Sequence, residues 1–273
     1  MAQAFTNSDI EILVATMNRQ SLDFLVPMFP MGHFSEFNLL VINQSTPDLL
    51  LTSDYPGVRV VNAFEKGLSK SRNLALALAT GKLCVIADDD EVFKPDFTEH
   101  IINAFNENKD AALISFRVEK SPGVLYKKYP EERVTQTTFS NRLHIMSIEM
   151  VMNRDLIQQD NIKFNENFGL GAQFCMGEEP VLINTMFKAG LKIIIEPKVI
   201  AMHPAEDTHA RVSVWDKYYV QGAMFTALLK DKYYKLVLLK LMYELKQNKI
   251  KLTEILQALK AVKAGRAAYN KLL

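Results

Sequence analysis

Asp88-Asp89-Asp90 follows Lys82-Leu-Cys-Val-Ile-Ala87, an unbroken apolar run that reads as a buried strand. Three adjacent carboxylates repel one another and are tolerable only when solvated or when a cation shares them. Ligands of open α/β sheets gather beyond the carboxyl ends of the strands. Hard divalent ions such as Mg²⁺ or Mn²⁺ take oxygen ligands there, usually together with phosphates. An exposed acidic turn capping the next helix would read the same way from position alone. Gly177-Glu178-Glu179 opens a helical pattern further on. Acidic side chains at that place stabilise a helix N-terminus; beside a carboxylate cluster, one of them can also act as a general base. His203 follows the strand-like Val199-Ile-Ala-Met202. A lone histidine is commonly structural, whereas next to acidic ligands it completes a metal site. Lys66-Gly67-Leu68-Ser69-Lys70-Ser71-Arg72-Asn73 puts cations and small residues at a helix start, where backbone N–H groups can meet phosphate. Taken alone, it is a basic loop.

The elements that must position these residues alternate. Apolar, β-branched runs at 11–15, 38–42, 58–62, 82–87, 111–118, 144–153 and 192–196 read as strands. Helical patterns fall at 21–29, 67–79, 96–106 and 179–189, with Gly81 and Gly190 as stops for the second and fourth. Continuous apolar strands alternating with helices indicate a doubly wound, parallel sheet. Residues 119–142 have weak periodicity and read as an excursion over the sheet, 164–177 as a Gly- and Asn-rich loop, and 214–273 as mainly helical. There is no GxGxxG after the first strand, no Walker A loop and no GxSxG elbow, so dinucleotide-binding, P-loop and hydrolase readings fail.

Of the 273 residues, 48% are apolar and 23% charged, an ordinary globular composition. A net charge of +1, from 32 basic and 31 acidic residues, argues against a nucleic-acid polymer as partner. The sum hides an asymmetry. Residues 230–273 hold eleven basic and three acidic side chains, so the first 229 residues are net acidic. Two cysteines, Cys84 and Cys175, make no disulfide framework and fit a reducing, cytoplasmic setting. No basic-then-apolar leader opens the chain, and no apolar run approaches the length of a membrane span.

Read in order, Ala15-Thr16-Met17-Asn18-Arg19, Asn43-Gln44-Ser45, Gly67 to Asn73, Asp88-Asp89-Asp90, Gly177-Glu178-Glu179 and His203-Pro204 closely resemble the inverting family 2 glycosyltransferases of GT-A fold. The likeness covers residues 8–205, and its most specific part is the helix, Gly81, strand and triple Asp taken as one block. The resemblance implies a Rossmann-like mixed sheet flanked by helices, with a catalytic domain over 1–212 and a basic helical C-terminal extension over 213–273. It implies transfer of a sugar from a nucleotide-diphosphate donor, usually UDP-linked, with Mn²⁺ or Mg²⁺ as cofactor. The acceptor would be a saccharide or lipid-linked hydroxyl, as in surface polysaccharide or glycolipid synthesis.

Residue by residue, the resemblance makes Asp90 the metal ligand, helped by Asp88 and His203. Asp88 would also face the ribose or sugar, with Asp89 between. Thr16, Met17, Asn18 and Asn43 would border the nucleobase side, and Lys66 and Arg72 the diphosphate. Glu179 would be the catalytic base, with Glu178 as its alternate. Family members commonly carry Pro and an aromatic where this chain has Ala15 and Met17, and an acidic residue where it has Asn43-Gln44. A catalytically silent nucleotide-sugar or carbohydrate-binding protein on the same fold is the competing class. A sugar nucleotidyltransferase is disfavoured because its Gly-rich, Arg-containing N-terminal loop is absent. The basic extension interleaves lysines with Leu and Tyr, a pattern that serves either as a peripheral contact with an anionic inner membrane face or as a helical hairpin packed on the domain.

Overall fold

The computed structural model describes residues 3–204 and 213–273. The expected domain boundary at 212/213 falls at the edge of a stretch outside the described residues. In chain order the elements are β1 (Ile10–Met17), β2 (Leu39–Gln44), β3 (Val58–Ala63), α1 (Leu68–Leu78), β4 (Leu83–Asp88), β5 (Val92–Phe93), α2 (Phe97–Glu107), β6 (Ala111–Ser121) and β7 (Val124–Leu125). There follow α3 (Phe139–Leu143), β8 (Met150–Asn153), α4 (Arg154–Gln159), α5 (Glu178–Lys188), β9 (Lys192–Met202), α6 (Val214–Leu229), α7 (Tyr234–Lys246) and α8 (Ile255–Asn270).

The strands form one sheet in the order β3-β2-β1-β4-β8-β6-β9-β5, with β7 attached to β6. β3, β2, β1 and β4 are mutually parallel, as continuous apolar strands require. β8 then runs antiparallel to both β4 and β6, which makes the sheet mixed. Successive side chains of each strand point to opposite faces. Ile12, Val14, Val41 and Val85 therefore meet Phe97, Ile101 and Phe105 of α2. Leu13, Leu40, Ile42 and Ile86 meet Ala75 and Leu76 of α1 and Leu182 and Met186 of α5 on the other side.

Three local expectations change. Residues 21–29 make only a short 3-10 turn at Asp23–Leu25, because Pro27 lacks the N–H that a continuing helix needs. The strand expected over 144–153 is confined to Met150–Asn153, and Ser147–Glu149 form a 3-10 turn before it. Gly81 does not cap α1, which ends at Leu78. Its side-chain Cβ would lie 2.5 Å from the Glu11 Cβ, so glycine there admits β1.

The extension is helical as expected. α6 lies on α5, where Asn184 Nδ2 and Lys188 Nζ donate to the Leu228 carbonyl at 3.3 and 3.0 Å. α6 and α8 touch backbone to backbone: a Cβ on Gly222 or Gly265 would land on the Val262 or Tyr219 carbonyl oxygen. No helix among the described residues is long and apolar enough to cross a membrane.

Candidate active site

The sheet builds the site at the carboxyl ends of β1 and β4. Ala15 pairs with Asp88, so the loops after both strands leave side by side. Asp89 is taken by the first loop: Thr16 Oγ1 donates to it, and so do Arg19 Nη2 at 2.7 Å and Nε at 3.1 Å. That leaves Asp88 and Asp90 to face elsewhere. β5, directly after the acidic turn, pairs Val92 with Met202 of β9. This register carries His203 to Asp90, with Nε2 3.0 Å from Oδ1. Burial lowers the imidazole pKa, but the Asp90 hydrogen bond and the charges of Asp90 and Asp88 outweigh it, so the net shift is upward. The Asp90 carboxyl is correspondingly held below its ordinary value, chiefly by the hydrogen bond from His203 against the cost of burial.

Arg72 is the hub. It points inward from α1, its side chain 2% exposed. Nη2 donates to Asp88 Oδ1 at 3.0 Å and to Ser147 Oγ at 2.8 Å, and Nη1 donates to Glu178 Oε1 at 3.1 Å. Burial opposes the guanidinium charge, yet Asp88, Glu178 and Glu179 together leave its pKa raised. A buried cation is stable only with such partners.

Glu178 and Glu179 open α5 after Gly177, which sits in the left-handed region at φ 97°. The two carboxylates differ. Glu178 is buried against Arg72, and desolvation reinforced by the Glu179 charge pushes it up to about 7, with Arg72 pulling down. Glu179 is half-buried, and Ser147 Oγ donates to its Oε1 at 3.4 Å. The carboxylate open to an incoming molecule is thus Glu179.

Other sequence candidates are placed differently. Asn43 is fully buried; its amide donates to Arg19 O and Asn62 Oδ1, and its oxygen accepts from Arg19 N–H. It shapes the loop instead of presenting a free amide to a base. Asn18 is left-handed at φ 54° with its N–H on Gln44 O, and Met17 is exposed beside it. Lys66 is exposed. The start of α1 is closed, because the Leu68 N–H is taken by Leu170 O at 2.9 Å and Ser69 Oγ by Phe168 O at 2.6 Å. The segment 66–73 therefore reaches the site through Arg72 alone among its described polar contacts to the acidic cluster.

Two residues escape a sequence reading. Ser147 bridges Arg72 and Glu179 across long stretches of chain. Glu91 is buried, accepts the Asp88 N–H at 2.8 Å, and is raised well above the carboxylate range by burial and by Asp88. Its acidity in a run of four acids disguised it as a further surface carboxylate.

Among the described residues, no group of three or more His, Cys, Asp and Glu side chains is set to hold a metal by itself. The donor set does fit a hard divalent ion that rests on one or two carboxylates and completes its shell with phosphate oxygens and water. Asp88 and Asp90 supply partly exposed carboxylates, 31% and 49%.

A mixed sheet flanked by helices, with acidic residues past β4 and paired glutamates at a helix start, is the GT-A type of architecture. The family model of glycosyl transferase family 2 matches residues 36–174, and the chain belongs to that family. It is therefore a glycosyltransferase by family. Among solved structures it is similar to residues 1–349 of TarS from S. aureus, at 16% identity and a TM-score of 0.61, covering 94% of this chain and 79% of that one. The same S. aureus fragment in complex with UDP-GlcNAc matches at 16% identity and a TM-score of 0.62, covering 92% and 79%. Its complex with UDP matches at 17% and 0.59, covering 93% and 79%. These likenesses establish the fold. No curated protein sequence matches the chain.

Proposed function

We propose that the chain transfers a sugar from a UDP-linked donor to a hydroxyl of a saccharide or lipid-linked acceptor, with inversion at the anomeric carbon. The observation that carries this reading is the division of labour around Arg72. One buried guanidinium joins Asp88 to Glu178 and leaves Glu179 the accessible carboxylate. The UDP and UDP-GlcNAc complexes of the S. aureus neighbour support the choice of donor.

In the reaction, Glu179 takes the acceptor hydroxyl proton as that oxygen forms its bond to the anomeric carbon. The bond from that carbon to the diphosphate oxygen breaks, and its electron pair leaves with the diphosphate. Asp88 and Asp90, with His203 beside them, would hold Mn²⁺ or Mg²⁺, which when bound neutralises charge on the leaving diphosphate. Arg72 keeps Asp88 and Glu178 in register, and Ser147 links that pair to Glu179.

Glu179→Gln should lower transfer by about 10²–10⁴-fold, the usual worth of a positioned base, while UDP binding by calorimetry stays near wild type. Asp90→Ala should remove the dependence of UDP affinity on Mn²⁺ or Mg²⁺. Full transfer by Glu179→Gln would move the base to Glu178. A thermal-shift screen of UDP-, GDP- and dTDP-sugars checks the donor.

A further inference from the structure

Outside the site, the extension carries an exposed apolar surface. The buried side of α7 is Val237 and Leu241, packed toward α6 and α8. Its opposite side is apolar at Leu239, 64% exposed, and Leu238 (59%) and Met242 (61%) stand exposed between the two. A helix that is apolar on both sides has a second partner or meets lipid. Between α7 and α8 runs a groove of about 400 Å³, walled by Leu238, Met242, Ile255 and Leu259, with Lys263 at its edge. Leu252 and Leu256, at the head of α8, are 77% and 73% exposed.

The charge around this apolar face is predominantly positive. At helical spacing, Lys235 and Lys246 fall on the same side of α7 as Leu239 and Met242. Lys249 stands over the Tyr243 ring at 5.8 Å. Two of the three acids of residues 230–273 are paired with cations: Asp231 with Arg266, and Glu244 with Lys240, Glu244 also accepting from Tyr218. Glu254 accepts the Lys251 backbone N–H and keeps its charge, one acid against the eleven basic side chains of this stretch. Meanwhile the first 229 residues are net acidic. A second copy of the chain docked face to face would present the same cationic surface. A flat anionic bilayer complements both the apolar ridge and its lysine border. The helices are too short to span, with α7 at 13 residues, so they would lie in the interface.

We infer that the outer face of α7 and the head of α8 dock the protein on an anionic membrane surface. Leu238, Leu239, Met242 and Leu256 enter the headgroup boundary, and Lys235, Lys246, Lys249 and Lys263 contact lipid phosphates. This rests on the surface alone and stands whichever donor the active site takes.

The test is flotation of the full chain with vesicles of phosphatidylcholine alone or with about one-third phosphatidylglycerol. Wild type should float with anionic vesicles, poorly with neutral ones, and lose binding as salt is raised. Each lysine near an anionic surface is worth roughly fivefold in affinity, so Lys235→Gln/Lys246→Gln should weaken binding by about 25-fold. Leu239→Ser/Met242→Ser, both at exposed positions, should abolish flotation while leaving the melting temperature and UDP binding unchanged. Equal binding to neutral and anionic vesicles overturns the inference, as does unaltered flotation of the variants. So does a solution dimer, seen by sedimentation, that either double variant dissociates.

Discussion

Three carboxylates in one turn are given three different partners. Asp88 goes to Arg72, Asp89 to Arg19 and Thr16, and Asp90 to His203. Without those partners they would repel one another, and the pairing with His203 leaves a measurable trace. His203 is shifted upward, so the folded imidazole keeps its proton to higher pH than the unfolded one. That stabilisation is complete below the ordinary histidine value of 6.5 and lost as pH rises through the folded pKa. Asp90 is shifted downward, so its share is present above the ordinary aspartate value of 3.8 and lost as pH falls through the folded pKa. In metal-free buffer, the His203 resonance should titrate above the ordinary value in wild type, and Asp90→Asn should move it down. An unchanged titration in Asp90→Asn would show that the ion pair does not govern the imidazole. Residue type and position made the acidic turn legible, because a continuous apolar strand running into three aspartates has few other readings. Ser147 and Glu91 were not legible. Their significance lies in contacts with Arg72, Glu179 and the Asp88 backbone, and only Glu91 sits near its partner in sequence.

At the scale of elements, the sequence is clearest where one face is continuously apolar, as in β1, β2 and β4, and helix ends are found within about two residues. It is least clear over 119–149. There α3 is five residues long, held by the Thr138 cap on the Asn141 N–H, and β8 is only four residues. Elements that short carry no period to read. Nor does a sequence show which glycines mediate contact between helices. Gly222 and Gly265 are reciprocal: each is where the partner helix's carbonyl passes, with Val262 over the first and Tyr219 over the second. Overpacking a close contact typically costs 1–3 kcal/mol. A methyl group meeting backbone cannot rotate away, so Gly265→Ala should cost about 3 kcal/mol. For a chain of this size that lowers the melting temperature by roughly 6–12 °C. Ala264→Gly, at an exposed position on the same helix, should cost only about 1 kcal/mol. Helix propensity alone would make Gly265→Ala stabilising by about 1 kcal/mol, so a raised melting temperature in that variant would show that the backbone contact does not set the effect.

Across the whole molecule, the near-neutral charge resolves into an acidic catalytic body and a basic extension that share α5. The N-terminus of α5 carries Glu178 and Glu179, and its later turns hold the Leu228 carbonyl of α6 through Asn184 and Lys188. Gly177 adds a second tie, since a Cβ there would lie 2.8 Å from Met224 Sδ of α6. A helix that serves both parts should make them unfold together. The chain provides its own probe, because its single tryptophan, Trp215, lies in the first turn of α6 and stacks on Tyr218. Trp215 fluorescence should therefore melt at the same temperature as the far-ultraviolet circular dichroism of the whole protein. With UDP and Mn²⁺ at a hundred times the dissociation constant, binding contributes about 2.7 kcal/mol. That should raise both curves by the same amount, roughly 5–10 °C. A fluorescence transition that stays put while the dichroism curve rises would mean that the extension folds independently of α5. In that case α5 would not join nucleotide binding to the C-terminal helices.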